Sequence, residues 1–192
     1  MTTLSAQLQE LAHVVEACHR HDAVLQAAAR DLVGCLQAGG KVLTCGNGGS
    51  ACDADHLAEE LLGRYRSNRR ALPAVSLSAG GALLTCIVND FGPDEVFARQ
   101  VAGLIEARDL LVVFSSSGAS QNIRRALDAA RSAGARTVAF LGKDGGICKG
   151  LATHEAIVPS RNTARIQEIH TVFIHTLCEA VEAAFPETPP NA

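Results

Sequence analysis

Leu4, Leu8, Leu11, Val14, Val15, Cys18, Val24, Leu25, Ala28, Leu32 and Leu36 recur at helical spacing, which predicts helix over residues 3–37 with a break near His21 and Asp22. Gly39 and Gly40 end that segment. The period then changes. KVLTC (41–45) is a short apolar run leading into Gly46-Asn47-Gly48-Gly49-Ser50, and the helical pattern DADHLAEELLGRY follows. PAVSLS (73–78) is a second strand-like run, with apolar helices predicted over 80–88 and 93–105. DLLVVFSSSG (109–118) repeats the order of strand and small-residue loop, and QNIRRALDAARSAG supplies the helix after it. RTVAFLG (136–142) and HEAIVPS (154–160) are two more strands, and a helix over 163–185 precedes PETPPNA, which is expected to fray.

Five strands separated by helix-length segments imply right-handed βαβ units and a parallel sheet covered on both faces. The expected fold class is α/β, a doubly wound five-stranded parallel sheet flanked by helices, with an N-terminal helical extension. Residues 1–38 read as a helical segment for oligomerisation, 39–186 as the α/β domain and 187–192 as a flexible tail. The extension is not needed to complete a βαβ unit, yet its apolar stripe must be covered. That predicts a bundle of N-terminal helices from several subunits.

Composition narrows the ligand. The 192 residues are 47% hydrophobic and 19% charged, which excludes disorder and coiled-coil composition. Lys and Arg total 17 against 20 Asp and Glu, for a net charge of −3, too balanced for a protein living on nucleic acid or an anionic membrane. Aromatics are 4% with no Trp, so platforms for stacking bases are not expected. A small polar ligand is favoured over a polymer. The seven cysteines are scattered and never spaced Cys-x-x-Cys, and the first residues lack a signal-peptide pattern, so a cytoplasmic protein with reduced thiols is expected.

In open parallel sheets, ligands bind beyond the carboxyl ends of the strands. Two loops there have anion-binding composition. In Gly46-Asn47-Gly48-Gly49-Ser50 the glycines allow close approach of backbone N–H groups, and a helix N-terminus adds a favourable dipole. The loop lacks a Walker lysine and is not a dinucleotide fingerprint, so no nucleotide cofactor is expected. Ser115-Ser116-Ser117-Gly118-Ala119-Ser120 supplies four hydroxyls where helix capping needs one, which suits a phosphate monoester.

His56 and Glu60, four apart on a helix, share one face and can share a metal or a hydrogen bond. Glu59 points about 100° away and reads as a solvated charge. RIQEIHTVFIHTLCEAVE offers Gln167, Glu168, His170 and His175 from the last helix. A histidine such as His175, set among Phe173, Ile174 and Leu177, is by itself more often a satisfied core residue than a ligand.

GNGGSACDADHLAEELLGRY, IVNDFG, SSSGAS, GKDGG and ARIQEIH, in that order, resemble the phosphoheptose isomerases of the sugar-isomerase (SIS) domain family over residues 40–180. The resemblance implies a flavodoxin-like SIS fold and conversion of sedoheptulose 7-phosphate to an aldose heptose 7-phosphate, an early step toward surface polysaccharide. It implies one zinc per subunit on His56, Glu60, Gln167 and His175. It implies substrate contacts from Asn47, Gly48, Gly49, Glu60, Asn89, Asp90, Ser115, Ser116, Ser117, Ser120 and Gln167. It further implies a homotetramer with sites where subunits meet. Gln167 and His175 are separated by about 12 Å of helical rise, which also points to a neighbouring subunit completing the pocket. In the chemistry so implied, Glu60 is the base that moves the proton beside the carbonyl. Imidazole titrates near neutrality, and His175 is the candidate acid.

Two positions depart from the family pattern. Ala119 stands where Asn is common, and residues 161–164 lack an acidic residue that some members carry. Neither touches the implied ligand set. The alternatives are an SIS protein that binds the replication initiator, or a sugar-phosphate sensor. In the first group the position matching His175 is not kept as His, and a sensor has no need of His56, Glu60 and His175 together.

Overall fold

The computed structural model describes residues 3–185, so the tail expected over 187–192 lies outside the described residues. The predicted 3–37 helix is two helices, α1 (Leu4–Cys18) and α2 (Asp22–Gln37), separated by a 3-10 turn at His19–His21. The turn sits where the His21 ring reaches across and bonds the Ile157 carbonyl at 3.0 Å through Nε2. The remaining elements are β1 (Val42–Gly46), α3 (Gly49–Leu62), β2 (Ala74–Ser76), α4 (Gly81–Phe91), α5 (Ala98–Leu104), β3 (Leu110–Ser115), α6 (Gln121–Ser132), β4 (Arg136–Gly142), β5 (His154–Val158) and α7 (Thr163–Ala184). The predicted 93–105 helix is interrupted: Pro93–Glu95 is a 3-10 turn and only α5 is α-helical.

All four strand pairings are parallel, in the order β2-β1-β3-β4-β5. This is the doubly wound arrangement expected, and its strand order reverses between β1 and β3. β1 and β3 are wholly buried, as continuous apolar runs covered on both faces should be. One core layer holds α2, α3 and α7 against the sheet through Leu32, Leu36, Leu57, Leu61, Ile174 and Leu177. The other holds α5 and α6 through Val101, Ile123 and Leu127.

The N-terminal segment divides at the turn. α2 buries Leu25, Ala28, Ala29, Leu32, Cys35 and Leu36 in this chain's own core, so residue 38 is not a packing boundary and half of the expected oligomerisation segment is part of the domain. α1 differs. Only Val14 is buried, while Leu4 and Leu8 are 75% and 56% exposed. Polar ties hold α1 in place: Arg165 Nη1 donates to the Gln7 carbonyl (2.6 Å), and Asn162 Nδ2 donates to the Glu10 carboxylate (2.9 Å). α4 is also bare on its outer side, with Leu83, Val88 and Phe91 exposed and Ile87 buried.

Candidate active site

The glycine loop follows β1 and the serine loop follows β3, so both flank the point where strand order reverses. Gly48 has φ +57 and Gly118 has φ +62, conformations that side chains resist. A Cβ on Gly118 would collide with the backbone of Gly145, and the Cys148 N–H donates to the Gly118 carbonyl at 3.0 Å. The GKDGG motif therefore buttresses the serine loop by backbone contact.

Within the serine loop the hydroxyls divide their work. Ser115 Oγ accepts from the Gly118 N–H (3.1 Å) and Ser117 Oγ from the Ala119 N–H (3.2 Å). Ser120 is the N-cap of α6, yet its side chain makes no capping bond. Its hydroxyl and that of the half-buried Ser116 lie at the start of a twelve-residue helix, where an anion would be favoured. Ser120→Ala should raise KM about tenfold, the scale of a hydrogen bond to a charged group, with a smaller change in kcat. Steady-state kinetics on a sugar phosphate checks this, because a remote phosphate contact contributes mainly uniform binding.

A cavity of ≈ 350 Å³ opens between the glycine loop and α4, lined among others by Asn47, Gly48, Ser78, Val88, Phe97 and Asn122. A larger cleft of ≈ 610 Å³ lies on the α2–α7 seam, faced mainly by alanines and Val33, away from the loops at the strand carboxyl ends. Asn89 and Asp90 are exposed at the end of α4 and bond each other, Asn89 Nδ2 donating to Asp90 Oδ1 at 2.8 Å.

α3 and α7 bring the implied metal residues together, with one difference. His56 Nε2 lies 3.3 Å from Glu60 Oε1, and the His175 ring packs edge-on to His56 with centroids 5.2 Å apart. The Tyr65 ring also packs on His175, with centroids 5.5 Å apart. Gln167 lies further along α7, its amide pressed against Gly49, where a Cβ would collide with it. Glu59, set aside on helical geometry, places a carboxylate oxygen within 4.8 Å of the ligand atoms of His56 and Glu60. A long side chain can wrap around the helix to a position its Cβ does not face.

His175 is half-buried beside His56, and the core histidine is His170 instead. His170 is fully buried among Phe114, Phe140 and Phe173, with Nε2 3.2 Å from the Leu141 carbonyl. Glu168 accepts from Arg165 Nη2 at 2.6 Å and belongs to the start of α7.

The end of α3 that carries Glu60 is held by a residue the sequence did not single out. Arg69 is buried, and its guanidinium donates to the carbonyls of Glu60 (2.5 Å) and Leu61 (2.9 Å), closing the open end of the helix. Its Nε faces Glu182 Oε1 of α7 at 3.5 Å, and Glu182 Oε2 accepts the Ser67 N–H at 2.7 Å. Burial pushes the Glu182 carboxyl up, but the Ser67 bonds and the Arg69 charge outweigh it and hold it below its ordinary value. A depressed carboxylate contributes stability above its unfolded pKa, and that stability is lost as pH falls through the folded pKa. Urea midpoints measured from pH 7 downward should therefore fall below about pH 4.5 less steeply for Glu182→Gln than for the parent chain, which starts from the higher midpoint.

The fold defines a doubly wound α/β protein with a glycine-rich and a serine-rich loop at its switch point, and comparison with known proteins sharpens that class. The SIS domain model matches residues 6–142. The phosphoheptose isomerase of Citrifermentans bemidjiense is 44% identical over 183 residues, spanning 95% of this chain and 95% of that protein. The Pelobacter propionicus phosphoheptose isomerase is 49% identical over 156 residues, 81% of this chain and 82% of the relative. Among solved structures, the phosphoheptose isomerase from Francisella tularensis superposes with a TM-score of 0.89 at 34% identity, covering 94% of this chain and 96% of that one. The one from Neisseria gonorrhoeae gives 0.87 at 37%, covering 93% and 97%. This chain belongs to the SIS domain family and, within it, to the phosphoheptose isomerases.

Proposed function

We propose that this protein isomerises sedoheptulose 7-phosphate to D-glycero-D-manno-heptose 7-phosphate through an enediolate, supplying heptose for surface polysaccharide. The observation that carries the reading is the meeting of His56, Glu60 and His175 between α3 and α7, in a chain whose switch point carries two anion-binding loops. The serine loop takes the phosphate, and Asn47, Gly48, Gly49, Asn89, Asp90 and Gln167 take the sugar. Glu60 turns one oxygen toward His56 and has a second with which to remove the C1 proton and return it to C2. His175, supported by Tyr65, passes a proton between the two substrate oxygens.

Two imidazoles and a carboxylate meet between α3 and α7 and are donors that fit zinc; the Gln167 amide, now against Gly49, would turn its oxygen to complete the set. His56, Glu60, Gln167 and His175 would hold the ion, with Glu59 near enough to replace a ligand. Bound there, zinc supplies Lewis acidity that polarises the substrate carbonyl. His56→Ala should weaken zinc affinity by more than about tenfold, the least that losing even an outer-shell partner of a ligand costs, with the thermal midpoint of the metal-free protein unchanged. Elemental analysis and calorimetric titration read this, and metal-free yet fully active parent protein would remove zinc from the reading.

The assembly proposed is a cytoplasmic homotetramer. Support comes from the apolar surface that one chain leaves bare on α1, α4 and α7, including Leu8, Phe91 and Val172. No helix among the described residues is long and apolar enough to cross a membrane. The function is tested by incubating purified protein with sedoheptulose 7-phosphate and separating products: turnover supports an isomerase, and binding without turnover supports a sensor.

A further inference from the structure

Asn47 and Asn122 stand 75 residues apart in sequence and face each other across the switch point. Asn47 Nδ2 donates to Asn122 Oδ1 at 2.9 Å, and Asn122 Nδ2 donates to Asn47 Oδ1 at 3.0 Å. One amide comes from the glycine loop after β1. The other comes from the first turn of α6, directly behind the serine loop. Both line the ≈ 350 Å³ cavity.

A primary carboxamide carries two N–H donors and two acceptor sites on its oxygen. The reciprocal pair uses one of each per residue. Because the amide is planar, the second N–H and the second lone pair of each residue are directed away from its partner. The pair thus offers two donors and two acceptors in a fixed arrangement. A sugar hydroxyl is both donor and acceptor, so two neighbouring hydroxyls match all four free groups, whereas a phosphate dianion, an acceptor only, matches the two donors and meets the two amide oxygens unfavourably. Locking the two side chains together before the ligand arrives also removes rotamer freedom that binding would otherwise have to remove. Asn122 has no other evident task, since Ser120 occupies the N-cap and the Asn122 amide bonds Asn47.

We propose that Asn122 is a specificity-determining residue, paired with Asn47 as an amide clamp that reads adjacent hydroxyls of a sugar whose phosphate occupies the serine loop. This rests on the isomerase reading above and adds the polyol-recognising element to it.

The test is a double-mutant cycle in the full-length protein with Asn122→Ala, Asn47→Ala and the double variant. Alanine suits the first turn of α6, so folding should be retained. Should Asn122→Ala nonetheless misfold, Asn122→Asp serves, because it keeps the bond from Asn47 Nδ2 and loses the returned one. Each single variant should lower kcat/KM on sedoheptulose 7-phosphate about tenfold, and the double variant about tenfold as well, because contacting residues are coupled. The inhibition constant of inorganic phosphate should stay within about twofold in all of them, because phosphate makes no use of the clamp. Parent-like kinetics in Asn122→Ala, losses that multiply in the double variant, or an equal loss of phosphate affinity would each overturn the clamp while leaving the isomerase intact. A parent protein that neither binds nor turns over the sugar would instead overturn the isomerase reading, and the clamp with it.

Discussion

Glu60→Gln should lower kcat roughly a thousandfold, within the range that a positioned general base contributes, while KM changes little. The replacement is nearly isosteric and keeps an oxygen to face the His56 ring, now 3.3 Å from Glu60 Oε1. What it removes is the capacity to take a proton from carbon, together with the anionic ligand proposed for zinc at this position. The comparison of kcat is therefore made at equal zinc content, with Glu59 still beside the site. Packing should survive, because α3 is held by Leu57, Leu61 and the Arg69 bonds to the Glu60 and Leu61 backbone carbonyls, none of which involves the Glu60 side chain. Circular dichroism and the thermal midpoint should match the parent within error. A variant that keeps more than about a tenth of parental kcat would place the base elsewhere, a general base being worth at least about a hundredfold, and Glu59 would be the next candidate.

The second large effect concerns assembly. Leu4, Leu8 and Val15 are exposed, and at about 100° per residue they fall within a stripe some 40° wide along α1. Arg165 and Asn162 tie α1 to its own chain through Gln7 and Glu10, and the buried Val14 lies on the neighbouring face, so the stripe itself is left outward. Placing Leu8→Asp with Val15→Asp puts two carboxylates on this surface. In an isolated chain both sites are exposed and stability should be untouched. In a bundle of α1 helices each unpaired carboxylate opposes burial strongly, so the tetramer should dissociate and activity fall at least about tenfold if sites are completed between subunits. Light scattering and turnover measured on the same samples read both consequences, and an active, unchanged oligomer would show that α1 lies outside the interface. Deleting residues 1–37, the cut suggested by the continuous helical pattern, would not serve. It would strip Leu32 and Leu36 from the core and unfold the domain.

Much of this architecture was legible in the sequence, and the shortfalls have physical causes. β4 was read at residues 136–142 and occupies Arg136–Gly142, because a buried parallel strand is a continuous apolar run with sharp ends. β2 was read at 73–78 and spans only Ala74–Ser76; it is an edge strand paired with β1 alone, and the chain turns away where Ser78 Oγ donates to the Gly46 carbonyl at 2.9 Å. The extension was one period in sequence but two helices in space, since nothing local distinguishes the stripe of α2, which meets α7, from the stripe of α1. His56, Glu60 and His175 were found through a family pattern, as helical spacing alone paired only the first two. Asn122 and Arg69 escaped because their partners, Asn47 and Glu182, are 75 and 113 residues away, and no periodicity records such a meeting. An Asn two positions into a helix, right behind a serine-rich loop that follows a buried strand, was the available signal.

Proton transfer by Glu60 is the central step of the isomerisation proposed for this protein. Proton NMR of sedoheptulose 7-phosphate incubated with zinc-loaded parent protein, and in parallel with Glu60→Gln, tests that most directly. Anomeric signals of an aldose heptose 7-phosphate should accumulate with the parent and form roughly a thousandfold more slowly with the variant. A folded, zinc-loaded parent protein that leaves the ketose unchanged, or a variant that forms aldose at more than about a tenth of the parental rate, would contradict it.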